Sequence, residues 1–218
     1  MYCAILVFMQ VVTFTFNDFA ENTYVLYDDS GSCAIVDPGC HKQHEQQELV
    51  DFIASNNLTP THLINTHCHI DHVLGNAFVA KKYGIPLYLH KDELITYNDT
   101  GRWGQFFGLV IEEIPDRQIF IDESSNITFG NSTLKVLFTP GHSIASVSFY
   151  HSSSKQLISG DVLFYQSIGR TDLPGGNHAT LIASIKNKLF TLPDDTMVYS
   201  GHGPATSIGF EKKHNPFL

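Results

Sequence analysis

The stretch Thr66-His67-Cys68-His69-Ile70-Asp71-His72 constrains this chain more than any other. Three histidines and one aspartate fall within six residues, after an apolar strand-like run and before a helix-like one. Packing alone hardly explains such a run. Buried imidazoles side by side repel when charged and leave ring nitrogens unpaired when neutral. In extended chain, residues two apart share a side, so His67 and His69 present their rings together while Cys68 turns away into packing. Asp71 and His72 fall where the next helix begins, so the donors project from a strand-to-helix loop. Imidazole combined with carboxylate suits zinc and other borderline divalent metals.

Three more metal-capable side chains stand at strand ends further along. His142 follows the run Leu134 to Phe138 in Thr139-Pro140-Gly141-His142, and Asp161 follows Gln156 to Ile158 in Ser159-Gly160-Asp161. His202 follows Met197 to Tyr199 in Ser200-Gly201-His202-Gly203. Each has a glycine beside it that allows close backbone approach. Singly, each reads as an ordinary loop residue. Together with the histidine-rich run they read as one ligand set.

The remaining pattern predicts a single domain over residues 1–218 with helices packed on the outer faces of sheets. Val11 to Tyr27 reads as strands around a turn at Asn17-Asp18, and Cys33 to Val36 as a strand stopped by Asp37-Pro38-Gly39. Gln43 to Asn57 carries Leu49, Val50, Phe52 and Ile53 at helical spacing. Thr61 to Thr66 and Ile85 to Leu89 read as strands flanking a helix that runs from Val73 to Gly84. Strand-like runs follow at Gln118 to Ile121, Ser132 to Phe138, Ser146 to His151 and Lys155 to Ser159, the last two joined as a hairpin. A helix with Leu181, Ile182, Ile185 and Leu189 on one face precedes a last strand, Thr196 to Ser200.

A formal charge of −9, with no Lys or Arg before Lys42, argues against a nucleic-acid substrate. The four cysteines form no C-x-x-C pair, which points to a reduced, cytoplasmic protein. The apolar opening Met1 to Phe16 lacks a basic start and a small-residue cleavage site, and is too short to span a membrane. It reads as a leading strand.

The order H-x-H-x-D-H, then P-G-H, then G-D, then G-H-G, resembles the metallo-β-lactamase superfamily. That resemblance implies an αββα sandwich of two mixed sheets and two divalent ions, zinc first, with iron and manganese open. It implies that His67, His69 and His142 hold one ion and Asp71, His72 and His202 the other, with Asp161 bridging. Gly160-Asp161-Val162-Leu163-Phe164 and Gly169-Arg170-Thr171-Asp172 resemble the glyoxalase II and persulfide dioxygenase branches. Gly201-His202-Gly203-Pro204, Glu211 and His214-Asn215-Pro216-Phe217 are similar to short bacterial glyoxalase II-like hydrolases.

The expected activity is hydrolysis of a small thioester such as S-lactoylglutathione, with Asp71 orienting the attacking hydroxide as well as binding metal. A persulfide dioxygenase using one iron, or a lactone or other ester hydrolase, is the alternative. Arg170 occupies the place of a basic residue near the glutathione carboxylate, or else forms a structural ion pair with Asp172. The chain ends at Leu218, without the C-terminal helical extension of longer glyoxalase II enzymes. His41, His44, His62, His90, His151, His178 and His214 have no comparable partners in sequence.

Overall fold

The computed structural model describes residues 8–218. Six strands form the first sheet in chain order: β1 (Gln10–Phe16), β2 (Glu21–Tyr27), β3 (Ser32–Val36), β4 (Thr59–Ile64), β5 (Leu87–His90) and β6 (Gln118–Ile121). The first three are antiparallel, and β3 through β6 run parallel. Parallel neighbours need crossovers, and those carry the helices. They are α1 (Gln43–Ser55), the short pair α2 (Ile70–Val73) and α3 (Asn76–Tyr83), and α4 (Leu94–Phe107). The second sheet follows from β7 (Asn126–Phe129), β8 (Ser132–Phe138), β9 (Val147–His151), β10 (Gln156–Gly160), β13 (Met197–Ser200) and β14 (Thr206–Ser207). A two-stranded ribbon of β11 (Leu163–Phe164) and β12 (Ser167–Ile168), then α5 (His178–Asn187), fill the crossover from β10 to β13. The helix α6 (Ile208–His214) follows β14.

Strand periodicity sorts the apolar residues into three layers. On β2 to β4, Tyr24, Leu26, Ala34, Val36 and Ile64 face inward and meet Phe129, Leu134, Val136, Val147, Phe149 and Ile158 of the second sheet. Their neighbours Val25, Cys33, Ile35 and Leu63 face outward and pack on Leu49 and Ile53 of α1, Val79 of α3 and Tyr97 of α4. On the far side, Leu137, Tyr150, Leu157 and Val198 pack on Leu181 and Ile185 of α5 and Ile208 of α6. The result is the αββα sandwich of two mixed sheets.

One predicted helix is broken. Residues 70–83 form α2 and α3 rather than one helix, because Gly75 passes against the Asp37-Pro38-Gly39 loop. Its amide donates to the Pro38 carbonyl at 2.7 Å, and a Cβ there would lie 2.6 Å from Cys40 Sγ. The sequence pattern did not resolve α4, α6, β7, β11, β12 or β14. The opening residues 1–7 of the expected leading strand lie outside the described residues. No helix among the described residues is long and apolar enough to cross a membrane.

Candidate metal centre

The donor residues stand at the carboxyl ends of β4, β8, β10 and β13, where open sheets present ligand crevices. Four of the five rings are pinned by Nδ1. His67 Nδ1 donates to Thr66 Oγ1 (3.1 Å), His72 Nδ1 to Asp37 Oδ2 (3.2 Å), His142 Nδ1 to the Arg170 carbonyl (2.8 Å) and His202 Nδ1 to the Ala20 carbonyl (3.1 Å). Each bond keeps a proton on Nδ1 and turns Nε2 inward, the nitrogen that can offer its lone pair to a cation. His69 is turned the other way, its Nδ1 2.8 Å from His142 Nε2. His67 Nε2 lies 3.2 Å from that same atom.

Two three-residue groups result, His67–His69–His142 and Asp71–His72–His202. In the second, Asp71 Oδ2 is 3.1 Å from His202 Nε2 and 3.5 Å from His72 Nε2. Asp161 lies between the groups. Its Oδ2 is 3.5 Å from His142 Nε2 and 3.6 Å from His202 Nε2, and its Oδ1 is 3.5 Å from His72 Nε2. Gly201 makes this approach feasible, since a Cβ there would lie 2.0 Å from Asp161 Oδ1.

The donors fit divalent cations. Among the described residues, His72 Nε2 and Asp161 Oδ1 are buried without any hydrogen-bond partner, an expensive state that a cation relieves. His142 Nε2, an acceptor, has two ring nitrogens against it, one of them bare; protons alone do not satisfy that contact. Burial, reinforced by the neighbouring imidazoles, drives His67 well below the usual histidine range and His69 to about 3. Both are therefore neutral at physiological pH, the state a cation requires of an imidazole. Burial pushes Asp71 and Asp161 upward, but His72 with its neighbouring rings outweighs it and holds both carboxyls ionised. Burial likewise opposes charge on His72, yet Asp71, Asp161 and Asp37 raise it well above its usual range. Asp37, Asp71 and Asp161 around one imidazole, with the buried Glu21 carboxyl 4.0 Å from it as a fourth, call for positive charge, which bound cations would supply.

A third possible group, Asp37–His67–His72, is better read as support. Asp37 accepts from the Thr66 amide (2.7 Å), Thr66 Oγ1 (2.5 Å) and Asn65 Nδ2 (3.3 Å) besides His72, so its oxygens are occupied. It holds the start of the ligand loop and one ligand ring together.

His69, Asp71, His142, Asp161 and His202 form the floor of a cavity of about 910 Å³, while His67 and His72 are buried and do not line it. Its walls include Phe19 of the β1–β2 turn, Ile95, Trp103 and Phe107 of α4, and Ile144 and Leu173 of the facing loops. Arg170 lines the rim, and its Nε and Nη2 donate to the two Asp172 oxygens at 2.7 Å each. The ion-pair reading of these residues is thus the arrangement present, with both side chains exposed. That guanidinium holds the Asp172 carboxyl down to about 2.

The family model of the metallo-β-lactamase superfamily matches residues 17–202. The chain belongs to that superfamily. It is 42% identical over 199 residues to a probable metallo-hydrolase, YqgX, of Bacillus subtilis, covering 90% of this chain and 92% of the relative. It is 35% identical over 204 residues to the hydroxyacylglutathione hydrolase GloC of Haemophilus influenzae, covering 92% and 93%. Among solved structures, the di-iron-bound form of TTHA1623 superposes with a TM-score of 0.85 at 36% identity, covering 95% of this chain and all of that one. The B3 metallo-β-lactamase BLEG-1 superposes with a TM-score of 0.83 at 38% identity, covering 96% and 99%. The protein is accordingly a metallo-hydrolase of the superfamily.

The structure brings all seven side chains named from the sequence together, and Cys68 packs into the outer core as its alternation indicated. None of the seven other histidines joins either donor group. Two supporting carboxylates escaped sequence reading. Asp37 looked like a strand stop, although its place after an apolar strand in Asp-Pro-Gly was a usable signal. Glu93 carried no local signal at all. It is buried and accepts from the Cys68 amide (2.9 Å), Ser143 Oγ (2.6 Å) and the Ala145 amide (2.8 Å), tying the His67–His69 loop to the His142 loop.

Proposed function

We propose that this chain is a dinuclear metal-dependent hydrolase of small-molecule thioesters; hydroxyacyl thioesters such as S-lactoylglutathione are the candidates that the likeness to GloC supplies. The observation that carries this reading is the pair of donor groups joined through Asp161 on the floor of a substrate-sized cavity. His67, His69 and His142 would hold one ion, Asp71, His72 and His202 the other, and Asp161 both. Bound there, divalent ions acidify water to a pKa of about 7 and polarise a carbonyl. Zinc suits the donor set, and the di-iron relative makes iron an equal candidate, with manganese also accommodated.

The chain's own residues do the rest. Asp71, beside His202 at the cavity floor, orients the attacking water. Thr66, Asp37, Arg170 and Ala20 fix the ligand rings through their Nδ1 atoms. Beyond the seven donors, the titratable residues lining the cavity are Cys68, Asp99 and Arg170. Burial pushes the Cys68 thiol well up, a guanidinium never yields its proton, and Asp99 stands on the α4 wall rather than among the donors. A thioester tolerates this, because a thiol of pKa about 8.5 departs as thiolate without a positioned acid. A departing amine benefits from such an acid, which favours thioesters over the lactams of the B3 relative. The likeness to GloC supports the same choice. The three described cysteines are buried and free, in keeping with a reducing cytoplasmic setting.

A single-iron dioxygenase would leave Asp71 and His202 in contact without a task. Metal analysis of protein purified without added metal, paired with a thioester assay, separates the readings. Two ions per chain with thioester turnover supports the hydrolase; one iron with persulfide oxidation overturns it.

A further inference from the structure

The walls above the metal centre select a different partner from its floor. On α4, Ile95, Asp99, Trp103 and Phe107 recur every fourth residue, which places them on one helical stripe, and all four line the cavity. Ile95 is 65% exposed and Phe107 44%, although each is a large apolar side chain. Phe19 closes onto Phe107 edge-to-face at 5.1 Å, and Ile144, 41% exposed, stands on a facing loop. Large apolar side chains left open around a catalytic floor are characteristic of a binding surface.

The charges point the same way. Arg170 is the single Lys or Arg lining the cavity, and Asp172 already takes two of its donors. Asp99 adds a carboxylate to the wall. An anionic peptide thiol such as glutathione would meet no unpaired cation here. A lactoyl group, small and polar, would cover little of the apolar wall formed by Ile95, Trp103 and Phe107.

We infer that the cavity takes thioesters of apolar acyl groups, aromatic or of medium chain length, with the acyl group lying against Ile95, Trp103 and Phe107 of α4. This inference rests on the thioester reading for its chemistry, but the binding surface can be tested without turnover. Trp103 is the single tryptophan of the chain, so its fluorescence reports occupancy of this wall directly.

The decisive titration uses the metal-loaded protein and two non-hydrolysable thioethers of N-acetylcysteamine. One carries a phenylethyl group in place of the acyl chain, the other a 2-hydroxypropyl group. The phenylethyl probe is expected to change Trp103 emission saturably, and to bind about tenfold or more tightly than the hydroxypropyl probe. Ile95→Ala, which keeps the tryptophan, should weaken the phenylethyl probe about fivefold and leave the other unchanged. Equal affinities, or tighter binding of the hydroxypropyl probe, would overturn the inference. So would an emission change on diluting the ligand-free protein, because a second copy of the chain would then cover the wall. Matched thioesters assayed in parallel separate the two readings. Phenylethyl binding without thioester turnover overturns the hydrolase and upholds the surface; lactoyl turnover without phenylethyl binding does the reverse.

Discussion

On the cavity floor, every ring that faces inward by Nε2 has its other nitrogen held from behind, and His67, His72 and His142 are at most 2% exposed. Along α4, Ile95 stands largely in solvent and Phe107 is nearly half exposed, and the aromatic rings of Phe19, Trp103, Phe106 and Phe107 lean on one another. The floor is over-determined and the wall is not. A donor array must hold its geometry closely to bind ions, whereas an apolar wall needs only area and shape. On the proposed reading, the chemistry falls to the part that tolerates least change, and the choice of substrate to the part that tolerates most.

Substitutions on the floor should have the largest effects. Asp161→Asn is expected to lower the ion count by at least one per chain and to cut turnover about a thousandfold, the equivalent of roughly 4 kcal/mol. Asp71→Ala should abolish hydrolysis while circular dichroism shows an intact fold. Either variant keeping near-normal turnover with a full metal load would show that the floor is less determined than its hydrogen bonds imply.

Glu93 joins the floor to the base of α4, so its removal sharpens the comparison. Glu93→Gln keeps the shape but puts an amide donor among three donors. Stability should fall by about 1–3 kcal/mol, lowering the melting temperature by roughly 3–10 °C. Metal affinity should fall about 10–100-fold, as when the partner of a ligand is lost. A normal melt with unaltered metal affinity would mean the two loops hold their places without it.

The smallest effect belongs to the rim. Arg170→Ala removes an exposed ion pair, and such pairs contribute little. Its melting temperature at pH 7 should match that of the parent. The depressed Asp172 carboxyl sets the sign of any residual difference. Stability from the pair is complete above the ordinary carboxylate pKa of about 3.9 and disappears as the pH falls toward about 2. KM for S-lactoylglutathione should be unchanged. A tenfold rise with constant kcat would instead show the rim gripping a carboxylate, and would break the division between floor and wall.

The same division governed what could be read from sequence. His67, His69, His142 and His202 were legible because few side chains bind metals and each of these ends a recognisable strand. Sheets with helices outside were legible from the mixture of strand-like and helix-like runs, and the sandwich only through the resemblance of the ligand motifs. That Tyr24 to Leu26 and Cys33 to Val36 alternate between two buried faces shows in the structure alone, because every position of those runs is apolar. Ile95, Trp103 and Phe107 were not legible, since apolar residues at helical spacing look the same whether they face a core or an open cavity. Glu93 was hidden for another reason. Its partners lie 25 to 52 residues away, and no local pattern announces them.

Each sheet of the sandwich is drawn from an unbroken length of chain, residues 10–121 for the first and 126–207 for the second. Both donor groups mix the two lengths, His67 and His69 with His142, and Asp71 and His72 with His202. Neither half carries a complete group, so bound ions would rivet one half-protein to the other. Metal capture would then double as an inspection of assembly: halves that mate in the wrong register present scattered donors and would hold ions less tightly. A misfolded copy would be silent rather than wrongly active, its chemistry withheld until both halves have come home.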